Sequence, residues 1–173
     1  MCPACRSHVT NSRDEIKVML QEAVKTLESH YGITLPEGIK VKFKSASAIR
    51  KQTNTTTGRV LGFYNLRRRE IWIERNGPEP CVFSTLVHEL THAWQHVNIN
   101  MNANLAFLEG HTSYVEVECS KLRKQEVYAK FLDRCLMQAQ DEYGEGYRYW
   151  KDVLSNDSDK NIFHHIQAKL PKG

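Results

Sequence analysis

The pentapeptide His88-Glu89-Leu90-Thr91-His92 constrains this chain more than any other feature of its sequence. It lies within residues 82–97, where apolar side chains recur at helical spacing and predict one amphipathic helix. On a helix, positions i and i+4 share a face with Cβ atoms about 5–6 Å apart, so two imidazoles there can converge on one metal ion. Glu89 points beside that ion, where it can take a proton from a metal-activated water.

A third metal ligand must come from elsewhere, because a catalytic zinc site takes three protein ligands and one water. Glu109 is the leading candidate, since a short loop at residues 98–104 can reverse the chain and pack a second helix against the first. Gly110 beside it permits close approach of the two helices. His111 is the rival ligand, but on a helix it points roughly 200° away from Glu109, so only one of the two can face the metal.

The pattern His88-Glu89-x-x-His92-Ala93-Trp94, followed by Glu109-Gly110, resembles the gluzincin peptidases. A similar pattern occurs in the peptidase domain that follows LIM domains in the plant growth-regulating, ubiquitin-activated peptidases, and in its bacterial relatives. The resemblance covers residues 59–170, including the segment Tyr143-Gly144-Glu145-Gly146-Tyr147. It implies a zincin-like fold and zinc-dependent peptide hydrolysis, with Zn²⁺ on His88, His92 and Glu109 and with Glu89 as general base.

Two features of this chain depart from that family. Leu108 stands where the family usually has a second acidic residue, and no complete LIM module is present. Cys2-x-x-Cys5 and His8 supply only part of a four-ligand zinc site. We interpret Cys2 and Cys5 as an incidental pair; the alternatives are a remnant of a zinc module and a zinc site completed by residues not identified. They lie in an N-terminal tail, residues 1–11, ahead of a single domain at residues 12–173.

The oxyanion that forms during amide hydrolysis needs a hydrogen-bond donor besides zinc. The resemblance places the donor on the C-terminal helices, which often close the site in zincins. The candidates there are Tyr147, His165, Tyr149 and His164. Acidic residues such as Glu116 and Glu118 are candidates for orienting the ligating imidazoles.

The predicted elements run from a helix through three strands to a series of helices, which indicates an α+β fold. We expect a small, mostly antiparallel sheet packed against the active-site helix, and a helical C-terminal part. The predicted elements are a helix over residues 12–31, a strand over 39–44, a hairpin formed by 59–64 and 70–74, and helices near 82–97, 105–117, 125–140, 146–154 and 160–170. Residues 45–58 are polar and predict a loop.

Composition narrows the class of protein. A chain of 173 residues suits one domain. Its net charge of +4 and its short basic run, Arg67 to Arg69, do not indicate a nucleic-acid partner. It lacks both a run of about 18 apolar residues and a signal sequence, so we expect no membrane partner. Five cysteines, an odd count, fit reduced thiols and a cytoplasmic location.

We therefore expect a zinc metallopeptidase that acts on a protein or peptide substrate. The family resemblance implies activation by a partner, which the sequence does not identify. One alternative is a SprT-like metalloprotease that acts at DNA, with His111 as the third zinc ligand. Another is a non-catalytic module in which zinc only holds the helices together, although such a site has no need of a base at Glu89.

Overall fold

The computed structural model describes residues 9–10, 12–53 and 61–172. Cys2, Cys5 and His8 lie outside the described residues, as do residues 54–58 of the predicted loop. The elements are β1 (Val9–Thr10), α1 (Arg13–Tyr31), β2 (Lys40–Lys44), α2 (Ala46–Thr53), β3 (Gly62–Asn65), β4 (Glu70–Glu74), β5 (Gly77–Pro78), α3 (Glu79–Asn98), α4 (Leu105–Leu122), α5 (Glu126–Gln138), α6 (Glu142–Asn156) and α7 (Ile162–Lys169). The predicted α+β class is confirmed.

The first helix follows its prediction at both ends. The backbone N–H of Glu15 donates to Ser12 Oγ, and the backbone N–H of Ser12 donates to the Glu15 carboxylate, each at 3.1 Å. This capping box satisfies two donors that a helix start would otherwise leave unpaired. The helix ends before Gly32, whose φ of 66° is a left-handed conformation that glycine adopts at little cost.

A three-stranded sheet packs against α3 and has β4 at its centre. β4 pairs antiparallel with β3, which confirms the predicted hairpin, and parallel with β2. The sheet is therefore mixed, and β1 and β5 form a separate antiparallel pair. Tyr64, Ile71 and Ile73 are buried in the core that the sheet shares with α3. This packing sets β3 alongside the helix that carries the His-Glu-x-x-His segment.

The predicted loop over residues 45–58 is wrong for its first half, because Ala46–Thr53 form α2. Ser45 precedes the helix, and its hydroxyl accepts from the backbone N–H of Ala48 at 3.2 Å. Ile49 is fully buried and anchors the helix. A single apolar anchor in eight residues produces too weak a periodicity to be read from sequence.

The helix predicted near residues 146–154 begins earlier, after Asp141. The Asp141 side chain caps α6 by accepting from the backbone N–H of Gly144 at 3.0 Å. Gly144 and Gly146 are both helical. Gly146 lies in the first turns of α6 because its backbone packs directly on the backbone of Gly110 in α4.

The C-terminal residues close over the end of α3. Lys172 Nζ donates to the carbonyl oxygens of His96 and Val97, at 2.9 and 2.7 Å, and so pairs a cation with the negative end of the helix. Ile99 bridges to Pro171 beside it. None of the helices described here is both long and apolar enough to cross a membrane.

Candidate metal centre

The two histidines of the His-Glu-x-x-His segment lie side by side on α3. Four residues apart on a helix, His88 and His92 share one face, and their ring centroids are 4.8 Å apart. The flanking positions Val87, Leu90 and Ala93 are fully buried, so the helix has no freedom to rotate these imidazoles away from their present direction. Both rings therefore point toward α4.

Glu109 meets both imidazoles from α4. Its Oε2 atom lies 3.2 Å from His88 Nε2 and 3.3 Å from His92 Nε2. One ligand atom from each of the three side chains lies within 4.8 Å of the other two, and this is the one such group of His, Cys, Asp or Glu found in the described part of the chain. The structure thus brings together the three residues that were predicted to hold the metal.

The opposite nitrogen of each imidazole has a partner that orients the ring. His88 Nδ1 lies 3.3 Å from Glu116 Oε2, and His92 Nδ1 lies 2.8 Å from Gln95 Oε1. Both partners are acceptors, so each Nδ1 carries a hydrogen, and in the neutral ring the lone pair is then on Nε2. This is the tautomer that an Nε2 metal ligand requires.

Of the two predicted orienting carboxylates, the structure brings Glu116 to the site and leaves Glu118 outside it. Glu118 instead pairs with Lys121 near the surface. Gln95 was not predicted, although its i+3 spacing from His92 places it on the same helical face and could have indicated it.

Glu89 is buried beside the two histidines, with 7% of its surface exposed. The backbone N–H of Tyr64 in β3 donates to its carboxylate. Burial raises the pKa of Glu89, while the positive charge that His88 and His92 can carry lowers it and the net shift is upward. Gly62 makes room for this carboxylate, because a Cβ there would lie 3.0 Å from Glu89 Oε1 and 2.4 Å from Thr85 Cγ2.

The carboxylates of Glu89, Glu109 and Glu116 lie close together at this site, and all three are largely shielded from solvent. Burial by itself raises the pKa of Glu109, but the imidazoles of His88 and His92 outweigh burial and hold that pKa well below its ordinary value. Burial lowers the pKa of His88, and its contacts with Glu109 and Glu116 reverse the shift and raise it. In the described residues none of the ion pairs of Glu109 or Glu116 involves a lysine or arginine. Carboxylates and imidazoles are side chains that can ligate a cation.

His111, the rival third ligand, points away from this cluster. Its ring is fully buried against Trp94, Trp150 and Phe163. Its Nδ1 atom lies 3.1 Å from Gln95 Nε2, which donates to it. Burial lowers the pKa of His111 to about 3, so the ring is neutral at ordinary pH.

The predicted oxyanion donors lie apart from the three convergent side chains. The hydroxyl of Tyr147 donates to Asp133, and its ring packs in a separate small core with Val117 and Leu136. His165 Nε2 lies 2.8 Å from the carbonyl oxygen of Asp159. Both hydrogen-bonding groups are therefore engaged elsewhere.

A different tyrosine of the same segment contacts the site. The ring centroid of Tyr143 is 6.1 Å from that of His88, with 34° between the ring planes. Burial, followed by the negative charges of Glu109 and Glu89, raises the pKa of Tyr143 well above its ordinary value. Tyr143 precedes Gly146 by about one helical turn, and the Gly110–Gly146 contact that carries it to the site is not visible from helical periodicity.

Comparison with protein-family models, with curated proteins and with solved structures found no match to this chain.

Proposed function

We propose that this chain is a zinc-dependent metallopeptidase, with zinc on His88, His92 and Glu109 and with Glu89 as the general base. The observation that carries the proposal is the convergence of one ligand atom from each of His88, His92 and Glu109 within 4.8 Å of one another. A buried carboxylate, Glu89, stands beside them.

The donor set fits zinc. Two imidazole nitrogens and one carboxylate oxygen, with a fourth position left for water, are a ligand set of catalytic zinc sites. A tetrahedral ion with bonds of about 2.0–2.1 Å separates its ligand atoms by about 3.3 Å. Glu109 Oε2 lies 3.2 and 3.3 Å from the two imidazole nitrogens. The hydrogen bonds of both Nδ1 atoms add the orientation that such ligands need.

Zinc, when bound, lowers the pKa of a water molecule and polarises the substrate carbonyl. The Glu89 carboxylate accepts a proton from the attacking water as the water oxygen bonds to the carbonyl carbon. Glu89 then delivers that proton to the amide nitrogen as the carbon–nitrogen bond breaks, so that an acid and an amine leave. The Tyr64 N–H and the space at Gly62 hold the Glu89 carboxylate in place for both transfers.

The free edge of β3, which lies beside Glu89, is suited to binding an extended peptide substrate. Among the described strands, β3 pairs with β4 alone, so its other edge has no strand partner there. An extended peptide can add to such an edge through main-chain hydrogen bonds. β3 also carries Gly62 and Tyr64, which touch Glu89, so a peptide on this edge lies next to the base.

The position of His111 argues against the SprT-like alternative, which needs this imidazole on the metal. Its ring lies in the aromatic core, and its Nδ1 atom is engaged with Gln95. The presence of Glu89, buried next to the histidines, argues against a purely structural zinc module, because a structural site needs no base.

Zinc analysis and a cleavage assay on matched variants test the proposal. We expect about one zinc per chain in the wild type and a clear loss in Glu109→Ala. The Glu89→Gln variant is expected to keep its zinc and to lose cleavage of unfolded casein by about 10²–10⁴-fold. The control is Glu118→Ala, which changes a carboxylate of α4 that pairs with Lys121.

Each contrary result overturns a stated part of the proposal. A wild type without zinc after reconstitution removes the metal site. Full zinc retention in Glu109→Ala removes Glu109 from it. Normal cleavage by Glu89→Gln refutes the mechanism, and zinc-loaded wild type that cleaves no unfolded protein favours the non-catalytic module.

A further inference from the structure

Tyr143 lies beside the candidate metal centre and is partly exposed to solvent. Its ring lies against the ring of His88, and 38% of the residue is exposed. No hydrogen-bond partner of the Tyr143 hydroxyl is found within the described ranges, so this donor is available to a bound molecule.

Rigid packing brings Tyr143 to this position. It lies in the first turn of α6, which the Asp141 side chain caps. One turn later, Gly146 is in backbone contact with Gly110, the residue that follows Glu109. The Gly110–Gly146 contact, which packs α6 on α4, thus also places the Tyr143 phenol near Glu109. A donor on a packed helix is better positioned than one on a loop.

The other tyrosines of α6 are differently placed. The hydroxyl of Tyr147 is engaged by Asp133. Tyr149 is 41% exposed, similar to Tyr143, but its ring packs on Phe107 and Trp150. Among the three, Tyr143 is the one whose ring contacts a residue of the His88, His92 and Glu109 cluster.

We propose that Tyr143 is a catalytic residue whose phenolic hydroxyl donates a hydrogen bond to the oxyanion that forms on the substrate carbonyl. The inference rests on the proposed peptidase function. The attacking water oxygen bonds to the carbonyl carbon and moves an electron pair onto the carbonyl oxygen, where negative charge develops. A phenol has an ordinary pKa near 10, so even without the effect of burial it is protonated at neutral pH and can donate to that oxygen. The hydroxyl keeps its proton throughout, so this step needs no further reactant.

A catalytic donor and a packing residue make different predictions for Tyr143→Phe. The variant keeps the ring against His88 and removes only the hydroxyl. Loss of one oxyanion donor lowers kcat by about 10²–10³-fold in known cases, and KM changes little because the charge develops only in the transition state. A packing role predicts unchanged kcat in Tyr143→Phe.

The test compares zinc-loaded full-length wild type, Tyr143→Phe and the control Tyr149→Phe. A quenched fluorescent peptide taken from a casein cleavage site gives kcat and KM. A blocked phosphinic tripeptide, a tetrahedral anion that resembles the transition state, gives Kd by calorimetry without turnover. We expect one zinc per chain in all three proteins, with Tyr143→Phe at least about 10-fold weaker toward the phosphinic peptide and about 100-fold lower in kcat.

The outcomes separate this inference from the proposed function. An active wild type with an equally active Tyr143→Phe variant overturns the role of Tyr143 and leaves the peptidase proposal standing. An equal loss in Tyr149→Phe also overturns it, since the effect then belongs to α6 in general. A wild type that binds zinc and cleaves nothing overturns both.

Discussion

Gly110 and Gly146 are in direct backbone contact where α4 and α6 cross. A Cβ built on Gly110 would lie 2.1 Å from the carbonyl carbon of Gly146, and a Cβ on Gly146 would lie 1.7 Å from the carbonyl oxygen of Ala106. No side chain fits between the helices at this point. The contact sits next to Glu109 and one turn from Tyr143, so the closest approach of the two helices also determines the shape of the candidate metal centre.

We expect Gly110→Ala to destabilise the protein by about 3 kcal/mol, because backbone atoms must separate to admit the methyl group. In a helix without this contact, the same substitution stabilises by about 1 kcal/mol. The sign of the change in unfolding free energy therefore shows whether Gly110 and Gly146 are in contact. Denaturant unfolding of the two proteins measures it, and an unchanged or higher free energy of unfolding in the variant contradicts the packing described here.

Glu116→Ala should weaken zinc binding by about 10–100-fold, because His88 loses the acceptor that fixes its tautomer and ring orientation. Competition with a chromogenic chelator measures the affinity. Glu118→Ala, two residues along α4, removes a carboxylate that pairs with Lys121 and should leave the affinity unchanged. Equal affinities in all three proteins would mean that Glu116 does not orient His88.

Gly62→Ala should lower kcat for peptide hydrolysis by about 10-fold or more while zinc content is retained. The new methyl group lies 2.4 Å from Thr85 Cγ2 and 3.0 Å from Glu89 Oε1, so the general base must move, and small displacements of reacting groups are costly. Gly38→Ala is the control, since its φ of 75° strains the backbone but no atom lies within 4 Å of its Cβ. A normal kcat in Gly62→Ala would refute the role given to this glycine.

Asp133 should contribute stability that is lost in acid. Burial raises the pKa of Asp133, but its hydrogen bonds from Lys151 and Tyr147 outweigh burial, and the net shift is downward. A carboxylate with a lower pKa in the folded state stabilises the protein above its unfolded pKa, near 3.9, and this contribution disappears as pH falls through the folded value.

The Asp133→Asn variant tests the direction of this pH dependence of stability. We expect it to be about 1–2 kcal/mol less stable than wild type at pH 7, a figure kept small because the pair is partly exposed. The difference should persist to about pH 4.5 and shrink below about pH 4. Denaturant unfolding at pH 7, 4.5 and 3 measures it. A difference that stays constant at pH 3 would show that the charge of Asp133 is not involved.

Local rules predicted the parts of this protein that depend on neighbours in sequence. The cap at Ser12, the end of α1 at Gly32 and the hairpin of β3 and β4 were all predictable from a few adjacent residues. The pairing of His88 with His92 follows from helical geometry in the same way. Short-range rules failed at α2, where one buried isoleucine anchors a polar helix, and at the start of α6, which was predicted near residue 146 but lies at Glu142.

Other features depend on contacts between distant segments. Tyr143, Gly62 and Gln95 were not predicted for the site, and Tyr147 and His165, which were, have hydrogen bonds elsewhere. Sequence spacing says which face of a helix a side chain occupies, but it does not say which other element covers that face. That is decided by how closely two backbones can approach, as Gly110 and Gly146 do.

The sequence by itself determined the two histidines, the glutamate between them and the helix that carries all three, because helical periodicity acts over four residues. It also indicated Glu109 as the third metal ligand, because of its distance from His92 and the glycine beside it. Only the tertiary structure decided which carboxylate orients His88, which strand contacts Glu89 and which tyrosine lies beside His88. Those relationships join residues on separate elements, and their geometry results from close packing of the whole core.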